Sequence, residues 1–428
     1  MLPIADPVIL RRDLLACRER SARITADLEG ERLRGPKLAI VNPPLWEVGH
    51  LGWFQERWCL RLLADGSLAD SILPHADALY DSATVAHDTR WDLPLQDIRA
   101  TRAYLAQVLE RVLERLQREP ENATLQYFVR LATFHEDMHG EAFHYTRQTL
   151  GYPDPFLPAG DTASAPVADG ADIEFAGGTF ALGASARDGF VFDNEKWAHE
   201  VRIAPFRIAR TAVTNAQFLA FVEEAGYARR EFWSDQGWSW RQEGRAHAPC
   251  YWRREGDAWL ERRFDRWLPL RPALPVIHVS WHEAEAYCRF AKRRLPPEAE
   301  WEYAAAWDAA GRRKRRYPWG DEAPRPGRAN LEGAATVAVG AHADGDSASG
   351  CRQMMGNVWE WTASVFEPYP GFVIDPYQEY SEPWFGTHRV LRGGSFSTPA
   401  RLMRNTWRNF YTPDRGDVFA GFRTCAPI

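Results

Sequence analysis

The chain has 428 residues, enough for two domains rather than one. Its apolar fraction of 45% can build real cores, and 19 Trp with 22 Phe bring large, rigid surfaces to fill them. A net charge of −6 lacks the basic footprint of a nucleic-acid binder, and six scattered cysteines without a CxxC pair argue against a disulfide framework or a thiolate zinc site.

From the start, MLPIADPVILRRDLLACRER carries no apolar signal segment, and no run of 18 apolar residues follows. The expected address is therefore the cytoplasm. The first helix is predicted over DPVILRRDLLACRERSARITADL, from its apolar residues at helical spacing. A second runs through LWEVGHLGWFQERWCLRLLADG, after Pro43 and Pro44. A third covers LQDIRATRAYLAQVLERVLERLQ. The fourth begins near Glu121 and Asn122 and ends at Gly151 and Pro153. Four such helices predict an antiparallel bundle over residues 1–151. The link SILPHADALYDSATVAHDTRWDLP must cross it, and long links of this kind often carry function.

Residues 152–172, rich in Pro, Ala, Gly and Asp, read as a linker. Residues 173–428 then change character. FAGGTFALG, HEVRIAPFRIAR, PVIHVSW and RVLRGGSF carry strand signals, and NAQFLAFVEEAG and HEAEAYCRFAKRR are predicted short helices. The stretch from about 307 to 350 is predicted irregular. The fold class expected is α+β.

His135 and His139 stand at i and i+4 in FHEDMHGEAF, which stacks both on one helix face. His50 lies on the second helix, and facing helices of a bundle build metal sites in this way. Three neutral imidazoles leave coordination positions open for substrate and O2. An i,i+4 pair is as often an ordinary solvated or core pair. HEDMH also fits H-E-x-x-H, the zinc hydrolase pattern with Glu136 as general base, so the pair does not separate zinc from iron. His144 points off that face. His75 and His87, in the crossing link, read as surface groups or as supports for the ligands.

The second half resembles the formylglycine-generating-enzyme-like domain, a variant of the C-type lectin fold. The resemblance is carried by TAVTNAQFLAFV, PVIHVSWHEAEAYCRFAKRRLPPEAEWEYAAA, YPWGDE, MGNVWEWTAS, RVLRGGSF and FAGFR. The first half, with GHLGWFQERW and HEDMHGEAF, looks like the DinB-like bundle. The pair resembles the iron-dependent sulfoxide synthases of ergothioneine biosynthesis and their relatives. That resemblance implies Fe(II) held by His50, His135 and His139, with O2 as co-substrate. It also implies that Trp301, Trp319, Trp359 and Trp361 are scaffold in the core. Thr398 and Met403 stand where the oxidase branch of the fold has its two cysteines, which makes copper-thiolate oxidation improbable.

The resemblance further places a catalytic tyrosine in DPYQEYSEPWFG at Tyr377, with Tyr380 beside it. A phenol there can donate a proton or hydrogen atom. Near the C-terminus the family resembles RNWDYPxRR, whose Asp and Arg grip an amino-acid thiol donor. This chain reads RNFYTPDRG, with Asn409 kept, Phe410 for Trp, Tyr411 for Asp, and Arg415 as the later arginine. Without that carboxylate a donor ammonium loses its partner, and a neutral aromatic hydroxyl suits a sugar. Met138 replaces the Gln of HxxQH. These departures look more like the branch that makes selenoneine, joining a selenosugar to the imidazole C2 of hercynine. Asn409 and Phe410 would then line the hercynine pocket, and Arg90 would contact the donor, unless it is a surface ion pair. A C–S-forming enzyme using cysteine or γ-glutamylcysteine, a zinc hydrolase or thiol transferase, and a sugar-binding module remain as alternatives. The acidic loop HADGDSASG could hold a structural calcium, although its spacing matches no recognised calcium loop.

Overall fold

The computed structural model describes residues 6–156 and 170–427. The chain divides into two compact units, Met1–Phe156 and Leu157–Ile428. Residues 157–169 of the expected linker lie outside the described residues.

The first unit is helical. Its elements are α1 (Pro7–Ile24), α2 (Glu31–Arg34), α3 (Pro44–Glu56), α4 (Ala76–Tyr80), α5 (Ile98–Arg118) and α6 (Ala123–Leu150). The long helices start where side chains satisfy their free N–H groups: Asp6 accepts from Val8, Asp97 from Ala100, and Asn122 from Leu125. Gly151, left-handed at φ 65°, ends α6. On α5 the buried positions Tyr104, Leu105, Val108, Val112 and Leu116 recur at helical spacing. The second helix is shorter than its apolar run suggests. It passes through a π-helical turn, Arg57–Arg61, and leaves at Leu62. There Leu62 bridges to Leu68, so the chain folds back on itself before the crossing link.

The second unit mixes short strands and helices. It begins with β1 (Asp172–Phe175), β2 (Gly178–Leu182), β3 (His199–Ile203) and β4 (Phe206–Ala209), which pair antiparallel as β1–β4 and β2–β3. Next come α7 (Asn215–Glu223), α8 (Asp235–Glu243) and a three-stranded sheet of β5 (Trp252–Glu255), β6 (Ala258–Arg263) and β7 (Arg266–Pro269). Then follow α9 (Trp281–Phe290), α10 (Glu298–Ala306), and the short pair β8 (Trp307–Asp308) and β9 (Arg313–Lys314). The closing sheet, in order β12-β11-β10-β13, comprises β10 (Trp359–Val365), β11 (Arg389–Arg392), β12 (Asn409–Tyr411) and β13 (Ala420–Gly421). The architecture is α+β, a helical bundle followed by a unit of mixed helix and sheet.

One core joins Phe175, Phe180, Leu182, Phe206 and Ile208 to Trp301 and Tyr303 of α10. Trp359 and Trp361 are fully buried, as expected. Trp319 is not core: it is half-buried and stacks on Tyr317 at 5.5 Å. PVIHVSW is not a strand either. It holds one bridge, Thr214 to Pro275, and His278 turns left-handed at φ 63°. Charge is buried with its partner throughout this unit. Arg408 grips Glu298 at 2.9 Å, and Arg423 grips Glu360 at 2.6 Å. Among the described residues no helix is long and apolar enough to cross a membrane.

Candidate metal centre

α3 brings His50 and α6 brings His135 and His139 to one place, where a nitrogen of each lies within 4.8 Å of the others. His50 Nε2 and His135 Nε2 are 3.3 Å apart. Two nitrogens each about 2.1 Å from one ion, at roughly 90–110°, stand roughly 3.0–3.4 Å apart, so the pair fits a shared metal. His50 and His135 are buried, while the His139 side chain keeps 20% exposure.

Tautomers are fixed from outside the cluster. His50 Nδ1 donates to the Tyr80 carbonyl at 2.8 Å, and His139 Nδ1 donates to Glu47 Oε1 at 2.6 Å. Both acceptors leave the Nε2 lone pairs facing inward. Aromatic rings hold the planes. Phe54 stacks on His135 at 3.6 Å, and Trp46 stacks on His50 at 5.0 Å. Burial pushes the His50 and His135 imidazoles well below their ordinary range, with the nearby His139 adding to it, so both are neutral near pH 7. Neutral imidazole is the metal-binding form.

The crossing link is clamped to α3 by hydrogen bonds that sequence patterns do not show. Trp46 Nε1 donates to the Leu79 carbonyl at 2.7 Å, and Trp53 Nε1 to Asp77 at 2.6 Å. Gly49 is required here, because a methyl group on it would overlap the Tyr80 ring. His87 fastens the link's far end to the Val41 carbonyl at 2.7 Å, whereas His75 is exposed.

Arg90 is buried, not a surface ion pair. It lies 3.9 Å over the Trp46 ring and donates to Asn42 at 2.7 Å and to the Val85 and Ser82 carbonyls. Burial pulls its guanidinium down to about 10, which the carboxylate of Glu47 opposes. Trp46 therefore sits between Arg90 and His50. Met138 is half-buried on α6, one residue before His139. His144 is fully buried and packs edge-on against Phe156.

The second unit gathers the other predicted residues. Tyr377 and Tyr380 stack at 6.0 Å, and Tyr380 meets Phe410 edge-on at 5.5 Å. Trp407 Nε1 donates to the Tyr380 hydroxyl, while burial pushes the Tyr380 phenol strongly up. Asp193, which the sequence did not single out, clamps the Tyr377 segment from both ends. It accepts from the Asp375 N–H at 3.2 Å and from the Ser381 hydroxyl. Asn409, Phe410 and Tyr411 form β12, paired to Leu391, Val390 and Arg389. Arg408, just before them, anchors the strand through Glu298. Phe410 stacks on Phe366 at 4.1 Å. Arg415 lies 5.1 Å over the Tyr411 ring and is paired with Asp417.

Residues 159–428 match the sulfatase-modifying factor enzyme 1-like domain family, and residues 13–143 match the DinB superfamily. A hercynine oxygenase of Mycolicibacterium thermoresistibile is 39% identical over 424 residues, covering 97% of this chain and 94% of its own. That of Mycobacterium tuberculosis is 38% identical over 428 residues, covering 98% and 99%. The chain belongs to the hercynine oxygenase family. A formylglycine-generating enzyme of Streptomyces coelicolor is 35% identical over 300 residues, covering 62% of this chain and 91% of its own.

Two further features bear on what a hercynine oxygenase relative of this kind can do. Glu136 accepts from Arg18 Nε at 2.8 Å and Nη2 at 3.0 Å, so both its oxygens serve a structural pair. That pairing with Arg18 gives Glu136 a structural role beside the histidines. In the loop considered for calcium, Asp346 is engaged by Arg352 at 2.6 Å and by Arg210 at 3.4 Å.

Proposed function

We propose that this chain joins a selenosugar to the imidazole C2 of hercynine, in an Fe(II)- and O2-dependent step of selenoneine biosynthesis. The observation that carries the reading is the convergence of buried His50 and His135 with partly exposed His139, in a chain whose full-length relatives are named hercynine oxygenases. Three nitrogen donors with open positions suit a ferrous centre, which supplies electrons for O2 reduction and sites for substrate. Trp46, Trp53 and Phe54 wall the imidazoles and hold their orientation.

Tyr377 is the proton donor in this reading. Tyr380, kept protonated by burial, holds its ring. Asn409 and Phe410 contact hercynine, and each aromatic face on its trimethylammonium contributes about 0.5–2 kcal/mol. Tyr411 offers the donor a hydroxyl and a ring, with Arg415 as a further contact. The choice of a sugar donor rests on Tyr411, since a neutral side chain cannot pair a donor ammonium. The cation of Arg415 is already matched by Asp417.

The second reading is C–S bond formation with cysteine or γ-glutamylcysteine; the full-length relatives are named hercynine oxygenases, a name that fits either donor. Anaerobic Fe(II)-loaded protein, given hercynine and both donors in competition and then O2, separates the two. Preferential consumption of the selenosugar is expected. Preference for the amino-acid thiol overturns the selenium assignment.

A further inference from the structure

We propose that Glu47 is the displaced carboxylate of the metal site, a positioning residue that sets the donor strength of His139. The proposal rests on reading His50, His135 and His139 as metal ligands. Imidazole binds a metal in its neutral form, so a divalent ion held by three of them would keep its whole charge uncompensated in a largely buried place. Many iron sites solve this by making one ligand a carboxylate, which uses a coordination position. Among the described residues no carboxylate joins the cluster of nitrogens. Instead one stands a single hydrogen bond behind it.

The geometry is specific. Glu47 is 1% exposed and lies three residues before His50, so one turn of α3 delivers both a ligand and a support for another ligand. Glu47 Oε1 lies 2.6 Å from His139 Nδ1, at the short end for N–H···O. His50, by contrast, donates to a neutral carbonyl at 2.8 Å. An imidazole donating to a carboxylate carries more negative charge on its other nitrogen. It binds a cation harder and favours the higher oxidation state. Glu47 thus supplies charge while leaving the remaining coordination positions open. The same carboxylate faces Arg90, so it balances the metal on one side and a buried guanidinium on the other.

The test is anaerobic Fe(II) titration of the wild type, Glu47→Gln and Glu47→Ala, with circular dichroism to confirm folding. Gln keeps a hydrogen-bond acceptor and removes the charge, whereas Ala removes both. The dissociation constant should rise about 10–100-fold in Glu47→Gln and further in Glu47→Ala. The Fe(III)/Fe(II) potential of Glu47→Gln should move positive. Wild-type affinity and potential in Glu47→Gln overturn the proposal. A wild type that binds no stoichiometric Fe(II) instead overturns the reading of the three histidines. If Glu47→Gln does not fold, the Zn(II)-loaded wild type still decides, by NMR of histidine-labelled protein. His139 should show a protected Nδ1 proton further downfield than that of His50, and its absence sinks the idea.

Discussion

His50 Nδ1 and the carbonyl of Tyr80 meet at 2.8 Å, so the helix that carries a metal-site imidazole is aimed by the link that crosses the bundle. Gly49 makes this approach feasible, since any side chain there would enter the Tyr80 ring. Gly49→Ala should therefore cost about 1–3 kcal/mol by overpacking and also weaken metal binding. Urea unfolding and Fe(II) titration measure the two effects, and a stable variant with wild-type affinity would show that the link does not aim His50.

His135→Ala should remain folded and lose stoichiometric iron. Its turnover should fall by more than the roughly 10–100-fold that follows loss of an outer partner. Metal analysis of anaerobically purified protein checks this. Retained iron would remove His135 from the ligand set.

Glu136→Gln separates an oxygenase from a hydrolase built on the same helix. The carboxylate is held by Arg18, so the variant should lose about 1–3 kcal/mol of stability through a weakened buried pair. Its turnover per iron should be close to wild type. A collapse of activity with intact iron loading would assign Glu136 a chemical role.

Asp193→Ala frees both ends of the Tyr377 segment. Iron affinity should stay unchanged while kcat falls about tenfold to a hundredfold, the cost of misplacing a reacting group by about 1 Å. Unchanged kcat would mean that neither Asp193 nor the placement of Tyr377 matters to the rate.

Burial pushes the Glu283 carboxyl up to about 7, against 4.5 unfolded, while the hydroxyl of Tyr227 and the hydrogen bonds from Ser280 oppose it. The folded state thus binds the proton more tightly, and its contribution to stability is complete below about pH 4.5. It is lost as pH rises through about 7. Glu283→Gln should flatten the stability profile across that window, by an amount on the order of 3 kcal/mol. Denaturant midpoints at several pH values give the comparison, and parallel profiles for both proteins would refute it.

The bundle was legible because its information is periodic. The apolar face of α5 and the four-residue step from His135 to His139 follow from helix geometry alone. The strand-rich unit was legible through motifs such as RVLRGGSF, which becomes β11. What escaped has no period. The sheet β5–β7 lies in a charged stretch without clean alternation, with Arg253 stacked on Trp267 at 3.9 Å. PVIHVSW has strand composition, yet it forms one isolated bridge and holds a left-handed residue. Glu47, Tyr80 and Asp193 act through contacts between positions distant in sequence, one of them through a backbone oxygen that no side-chain pattern encodes.

Glu47 and His50 share one turn of α3, and this makes the interval between them a matter of register. Each added residue rotates a helix by about 100°. A one-residue insertion between positions 47 and 50 would swing either the acid or the imidazole out of the centre. Length changes in the surrounding loops can be absorbed, but this three-residue step has no slack.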